Sequence, residues 1–481
     1  MTAAVMGGSR APETDMLPRM DDLRHTLHRA ADLIADYREG LPTSRVTPSA
    51  SRQQLRETLS SRLPDRGEPA DVVLRHLSEA QPGLMATDGP RYFGFVVGGS
   101  LDAALLADLM TTGWDQNAFN EALSPAALAY EDMAGDWLKE LLSIPATASV
   151  GFVTGAQGAN TVGLTAGRWR ILMDKGWDVG IDGLTGAPPV RVVVGAERHG
   201  TIDRAVRLLG LGESSLVVVP ALEDGTMDTA NLASLLDEDR DAPTIVCAQA
   251  GNVNTGAFDE LRTIGEISRD RNAWLHVDGA FGLWAAASPE TSHLVDGIEL
   301  ADSWGCDGHK WLNVPYDSGY AFCAYPDVHA TAMAYTADYL TGQVAGRTFG
   351  GGDFVPESSR RARGFATWAA LRSLGRSGVA DLINRTCELA RRLAAGVATI
   401  PGVEAVNDVV LNQVLVRVGT TEETDRVERF IQEEGTCWLG ATTWHGERLL
   451  RVSVSNWTTT AEDIDITIDA IGRAVNAVRS G

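Results

Sequence analysis

The chain is expected to fold as an α/β protein around a mainly parallel sheet with helices on both faces. From about residue 148, short β-branched runs recur: SVGFVT, VRVVVG, SLVVV, TIVCAQ, WLHVD and YAFCA. Helical segments separate several of them, among them GANTVGLTAGRWRILMDKG, HGTIDRAVRLLGLG and FDELRTIGEISRDRN. Continuous apolar strands alternating with helices bury both faces of a sheet, as parallel sheets do. At 481 residues the chain also exceeds the size of a single core, so two or three structural units are expected.

Residues 1–16, MTAAVMGGSRAPETDM, have no apolar core and read as a disordered leader. The section that follows reads as mostly helical to about residue 145. MDDLRHTLHRAADLIADYREGL sets Leu23, Leu27, Ala30 and Ile34 at helical spacing before the stop signal Gly40. SPAALAYEDMAGDWLKELLSI starts on Ser-Pro and runs amphipathically to Pro145, while PRYFGFVVGGS between them reads as a loop or short strand. Boundaries are drawn at 17–90 for a helical N-terminal segment, 91–355 for a large domain and 356–481 for a small α+β domain. In the last, a long helical stretch precedes two strands, VVLNQVLVRV and RLLRVSV, and a closing helix.

Composition narrows the function. A formal charge of −23 with no basic stripe argues against nucleic acid or an anionic membrane as partner. No apolar run approaches the roughly 20 residues of a membrane span. The five cysteines (Cys247, Cys306, Cys323, Cys387, Cys437) are scattered without CxxC spacing. That pattern favours free thiols in a reducing cytoplasm over disulfides or a metal site.

Lysine occurs only at Lys139, Lys175 and Lys310, and the third lies in ADSWGCDGHKWLNVPYDSG among aromatics, glycines and a proline. A lysine in such surroundings has the makings of a desolvated nucleophilic amine, the alternative being a surface lysine. Three further elements fall at the ends of expected strands, where open α/β sheets bind ligands. In FVTGAQGANTVGL a strand enters a glycine turn and a helix, so the backbone N–H groups of Ala156, Gln157 and Gly158 could hold an anion. An ordinary strand–helix connection would look the same. His199 follows a buried strand in GAERHGTIDRA, and Asp278 ends the apolar strand WLHVD. Each alone has a structural alternative, a satisfied histidine and a buried ion pair. Together they supply a phosphate cradle, a flat imidazole, a buried carboxylate and an amine, which is what pyridoxal 5′-phosphate (PLP) needs. Lys310 would condense with its aldehyde, Asp278 would keep its ring nitrogen protonated, and His199 would stack on the ring.

From about residue 17 to 478 the chain resembles the group II pyridoxal-phosphate amino-acid decarboxylases, most specifically in HVDGAFG and ADSWGCDGHKWLNVPYDSG. The resemblance implies the fold type I (aspartate-aminotransferase-like) architecture, and a homodimer with active sites at the interface in which the N-terminal helices wrap the partner. It makes Lys310 the cofactor-holding lysine, Asp278 the partner of the ring nitrogen, His199 the stacking histidine and Ala280 the small residue beneath the ring. His309 becomes the histidine beside the phosphate, and Tyr339 the loop tyrosine that protonates the α-carbon. In relatives, phenylalanine at that position is associated with aldehyde formation, and this chain keeps tyrosine.

Some positions depart from the family pattern. Ala156 and Gly158 stand where relatives often present serines, leaving backbone donors with Thr154 or Thr161 assisting. Asp307 stands where aromatic-acid enzymes tend to have asparagine. Asn252 and Val253 lie where some relatives place a threonine near the cofactor's phenolic oxygen. The substrate pocket implied by the resemblance is lined by Phe95 and Phe119, with Asn117 and Asn120 as polar contributors. Arg451 aims at the substrate carboxylate or forms an interdomain ion pair. The expectation is a cytoplasmic, homodimeric PLP-dependent carboxy-lyase acting on an L-amino acid with an apolar or aromatic side chain, with no metal. Oxidative decarboxylation–deamination, another PLP lyase or transaminase reaction, and a non-catalytic homologue are the alternatives.

Overall fold

The computed structural model describes residues 20–59, 62–63, 66–334 and 350–480. The chain divides into two units, Met1–Ala86 and Thr87–Gly481. The first holds helices α1 (Met20–Gly40), α2 (Arg52–Leu59) and α3 (Ala70–Ser78). The apolar stripe read from the sequence of α1 is open to solvent: Leu23 and Leu27 are 47% and 59% exposed.

The second unit opens with α4 (Asp102–Trp114) and α5 (Pro125–Leu141), the latter started by Ser124, whose hydroxyl accepts from the Ala127 N–H. Alternation follows: β1 (Ser149–Val153), α6 (Ala156–Met173), α7 (Val179–Asp182), β2 (Arg191–Gly195), α8 (Gly200–Leu208), β3 (Leu216–Val219), α9 (Thr229–Asp237), β4 (Thr244–Gln249), α10 (Leu261–Asp270), β5 (Trp274–Asp278), β6 (Ser303–Asp307), β7 (Gly319–Cys323) and α11 (Pro326–Met333). The sheet order is β1-β7-β6-β5-β4-β2-β3. Only β7 runs against its neighbours; the other pairings are parallel. All residues of β5, β6 and β7 are buried, which accounts for their lack of polar alternation.

Helix α12 (Gly364–Val397) breaks at Gly375, where φ is +61°, a conformation that glycine adopts without a steric cost. It leads to β8 (Glu404–Ala405), β9 (Gln413–Arg417), α13 (Thr421–Glu434), β10 (Gly440–Trp444), β11 (Glu447–Ser453) and α14 (Ala461–Ser480). These strands form an antiparallel sheet in the order β10-β11-β9-β8 over its own core.

The sequence pattern foresees two strands here and no strand at β6. The missed strands are short or polar: EA, GATTW and SWGCD. Their pairing is decided by neighbours, β9 for β8, β11 for β10 and the buried pair β5 and β7 for β6, and not by their own propensity.

Candidate active site

Strands β1, β2, β4, β5 and β6 all end at one edge of the large sheet, and β7 begins there because it is reversed. That edge gathers the predicted residues. Beyond β1, Gly155 turns the chain into α6, whose first turn has no side-chain cap, whereas α5, α8 and α9 are capped by Ser124, His199 and Asp228. Ala156 N–H already donates to Asp307 Oδ1. The donors of Gln157 and Gly158 remain at the amino end of an 18-residue helix, where an anion is favoured. Gln157 uses its amide to reach the Thr201 carbonyl at 3.3 Å, tying α6 to α8. A Cβ on Gly155 would lie 2.7 Å from the His309 ring, so the turn closes directly on the Lys310 segment.

Asp278 ends β5 and is 5% exposed. Its carboxylate accepts from Asn160 Nδ2 at 3.0 Å and from the Ala280 N–H at 3.2 Å, with Thr201 Oγ1 at 3.5 Å. Among the described residues these donors are all neutral, and no cation pairs with it. A buried carboxylate so placed is suited to a cationic ring N–H.

Lys310 lies past β6, with Nζ 2.9 Å from Asp307 Oδ2. Asp307 Oδ1 faces His309 Nε2 at 3.3 Å, and His309 Nδ1 accepts from the Ser318 N–H at 3.1 Å. Burial lowers the His309 pKa, and Asp307 opposes the shift. Tyr316 packs on the His309 ring at 4.4 Å, and burial raises its pKa to about 12.

His199 caps α8, its Nδ1 receiving the Thr201 N–H at 3.3 Å and facing Thr201 Oγ1 at 3.0 Å. Its ring is open to water within the cleft, yet the surrounding protein disfavours the imidazolium. Desolvation lowers its pKa, Asp278 opposes this, and Lys310 and Arg451 add to it. Those charges therefore converge on one imidazole.

Arg451 on β11 reaches Asn254 Oδ1 at 3.5 Å, and burial lowers its pKa. The interdomain ion pair is not formed: among the described residues Arg451 has no carboxylate partner.

The aromatic segment lies against the same place. Gly98 backs onto the Lys310 carbonyl so closely that no Cβ fits, and Gly99 N–H donates to Asn313 Oδ1 at 2.6 Å. Phe95 stacks on Trp438 at 5.4 Å, and Tyr92 stacks on Trp438 at 5.1 Å.

Four predicted residues are engaged elsewhere in the chain. Asn252 spends its amide on the loop, its Oδ1 accepting from the Asn254 and Thr255 N–H groups and its Nδ2 reaching the Glu197 carbonyl. Asn120 accepts from the Leu123 N–H ahead of α5. Phe119 packs on Gly352, whose N–H donates to the Phe119 carbonyl at 3.1 Å. Asn117 accepts from the Phe119 and Arg360 N–H groups. Tyr339 lies outside the described residues.

Sequence reasoning missed Asn160, Thr201, His276 and Ser303, which brace Asp278. Two signals were present: His276 is two residues before Asp278 on the same strand, and Asn160 is one helical turn beyond Ala156.

The pyridoxal-dependent decarboxylase conserved domain matches residues 52–418. Tryptophan decarboxylase 1 of Oryza sativa subsp. japonica is 28% identical over 466 residues, covering 91% of this chain and 90% of the relative. The 4-hydroxyphenylacetaldehyde synthase of Rhodiola rosea is 28% identical over 377 residues, 76% of each chain. The crystal structure of Oryza sativa TDC with PLP and tryptamine superposes with a TM-score of 0.89 at 24% identity, covering 98% of this chain and 99% of that one.

Proposed function

The chain belongs to the pyridoxal-dependent decarboxylase family, and on that premise we propose that its substrate is an aromatic L-amino acid, released as the amine. It is a PLP-dependent amino-acid decarboxylase of fold type I. The observation that carries the assignment of roles is Asp278, a buried carboxylate supplied with neutral donors only, at the same sheet edge as Lys310 and the uncapped start of α6.

The bound cofactor supplies delocalisation of the electron pair left on the α-carbon when carbon dioxide departs. Lys310 provides the tethering amine. Asp278 holds a proton at the ring nitrogen, and without that proton the ring draws electrons poorly. His199 covers one ring face, while Ala280 leaves room at the other. The N–H groups of Gln157 and Gly158 hold the phosphate, and His309 orients Asp307 and Ser318 beside it. Asn252 acts indirectly, by shaping the loop after β4. Arg451, half-buried and unpaired by any described carboxylate, is the cation suited to the substrate carboxylate. The Tyr92–Trp438–Phe95 stack supports an aromatic substrate. Tyr339 returns a proton to the α-carbon.

The working unit is a homodimer in the cytoplasm, in which a second copy supplies Phe119 and Asn120. The apolar residues left exposed on α1 and α4 (Leu27, Leu106, Trp114) support that assembly, and five free buried cysteines suit a reducing compartment. Sedimentation equilibrium should give twice the chain mass; a stable monomer with full activity would contradict the shared site.

Mass spectrometry of products from tryptophan, tyrosine, phenylalanine and glutamate should find amines from the aromatic acids. Turnover of glutamate alone would overturn the substrate assignment. The Rhodiola relative favours a second reading, aldehyde synthesis. Replacing Tyr339 by Phe separates the two: amine yield should fall while aldehyde and hydrogen peroxide rise. An unchanged amine-to-aldehyde ratio would remove Tyr339 from its role.

A further inference from the structure

Behind Asp278 lies a buried chain of hydrogen bonds. Trp274 Nε1 donates to Ser303 Oγ at 2.9 Å, and Ser303 Oγ meets His276 Nδ1 at 2.9 Å. His276 Nε2 meets Asn160 Oδ1 at 3.0 Å, and Asn160 Nδ2 donates to Asp278 Oδ2 at 3.0 Å. Asn160 Nδ2 also donates to Thr201 Oγ1 at 3.2 Å, the hydroxyl that faces His199 Nδ1. Asn160, His276 and Ser303 are all 0% exposed.

The two ends fix the direction of every proton between them. An indole N–H can only donate, and a carboxylate can only accept. Asn160 must therefore turn its amide nitrogen to Asp278 and its oxygen to His276, so the imidazole carries its proton on Nε2. Burial brings the His276 pKa down to about 4, so the ring is neutral and Nδ1 accepts from the Ser303 hydroxyl. Ser303 Oγ then receives the Trp274 N–H. No group is left unsatisfied, and none can reverse without stranding a buried partner. At the other end, His199 Nδ1 takes the Thr201 N–H, so Thr201 Oγ1 accepts from Asn160 and gives its one proton to Asp278 Oδ2 at 3.5 Å.

Glycines on two elements make the space. On α6, Gly163 and Gly167 follow Asn160 at helical spacing. A Cβ would lie 2.6 Å from His276 Nδ1 at the first and 2.7 Å from the Trp274 ring at the second. On β6 a Cβ at Gly305 would lie 2.5 Å from Asn160 Oδ1. Three close approaches along one file of residues mark a built path.

We propose that His276 and Asn160 are positioning residues, a one-way relay that aligns Asp278 with the cofactor ring nitrogen and His199 with the ring face. The inference rests on the assignment of Asp278 to that nitrogen. His276 does not move a proton in the reaction; it keeps Asn160 from rotating, and so keeps Asp278 a proton holder in one orientation.

The test compares His276→Phe, His276→Gln and Asp278→Asn as purified holoenzymes, reading cofactor dissociation by ultrafiltration and the pH midpoint of the visible cofactor band. His276→Phe should weaken cofactor retention about tenfold and move the band midpoint by about one pH unit, the scale of one lost buried hydrogen bond. The reaction should lose kcat with KM within about twofold, and Gln, which can still donate to Asn160, should recover most of the loss. A His276→Phe protein with unchanged retention and midpoint, beside an altered Asp278→Asn, would overturn the relay alone. If Asp278→Asn also changes neither, the assignment of Asp278 falls with it. Should Phe fail to fold, 15N-histidine NMR of the unaltered holoenzyme decides. His276 protonated on Nε2 and not titrating between pH 5 and 9 supports the relay; the opposite tautomer overturns it.

Discussion

The two walls of the cleft are built on opposite electrostatic plans. On the β5 wall, Asp278 is gripped by amide, hydroxyl and backbone donors, with a neutral histidine behind them. On the β6–β7 wall, Lys310 Nζ and His309 Nε2 lie 2.9 and 3.3 Å from the two oxygens of the Asp307 carboxylate. Neutral hydrogen bonds in a dry interior are directional and rigid, whereas Lys310 and His309 share the one buried carboxylate of Asp307 and can exchange on it. The wall assigned to the ring nitrogen is thus preorganised, and the wall carrying the lysine can rearrange when partners come and go.

The largest effect should come from the charged wall. Replacing Lys310 by Ala should cost about a thousandfold or more in kcat and abolish borohydride trapping of cofactor on the chain, read by intact mass. On the neutral wall, Asp278→Asn should lower kcat by about a hundredfold and weaken cofactor retention, while borohydride still traps the cofactor on Lys310, because it removes charge stabilisation and not the tether. Retained activity in either variant would break the division between the walls. Replacing Gly163 by Ala pushes a methyl against His276 and should destabilise the fold by about 1–3 kcal/mol in urea titration. Asp307→Asn preserves an acceptor for the Ala156 N–H, so it should change kcat/KM by less than about tenfold.

The smallest effect is on acid stability. Burial puts the pKa of His276 and of His329 at about 4, below the unfolded value near 6.5. The unfolded state then binds more protons, and this stabilisation, whole above about pH 6.5, is lost as pH falls toward 4. Asp259 and Asp302 act oppositely: burial raises each to about 6, so their protonation favours the folded state as pH falls through 6. Calorimetry should show a shallow fall in Tm from pH 7 to 5, steeper in Asp302→Asn.

Much of this site was legible because its residues are chemically odd where they stand. Lys310 in a lysine-poor chain, Asp278 closing an apolar run and a glycine turn after β1 each contradict their surroundings. The relay is the reverse case. Asn160, His276 and Ser303 are ordinary residues whose meaning depends on which strands adjoin, and β6, carrying Ser303, has no β-branched residue to announce it. Phe119 and Asn120 were read for their chemistry, but within one chain their contacts are local packing and a turn. The small sheet was half legible for the same reason: β9 and β11 are apolar, whereas β8 and β10 owe their strand geometry to them.

The reversal of β7 has a topological consequence. A parallel strand after β6 would require a crossover of a dozen or more residues to the far edge of the sheet. The antiparallel return instead pairs Gly319 with Asp307, so the segment bearing Lys310 leaves and re-enters the sheet at adjacent rungs. It is a closed ring of backbone, pinned at both ends by ladder hydrogen bonds, and its configurational freedom is spent before any ligand arrives. Opening that ring by moving the chain termini into residues 311–317 would leave both strands in register while cutting the lysine loose on one side. Such a permuted protein would measure how much of the tether's reach is set by loop closure alone.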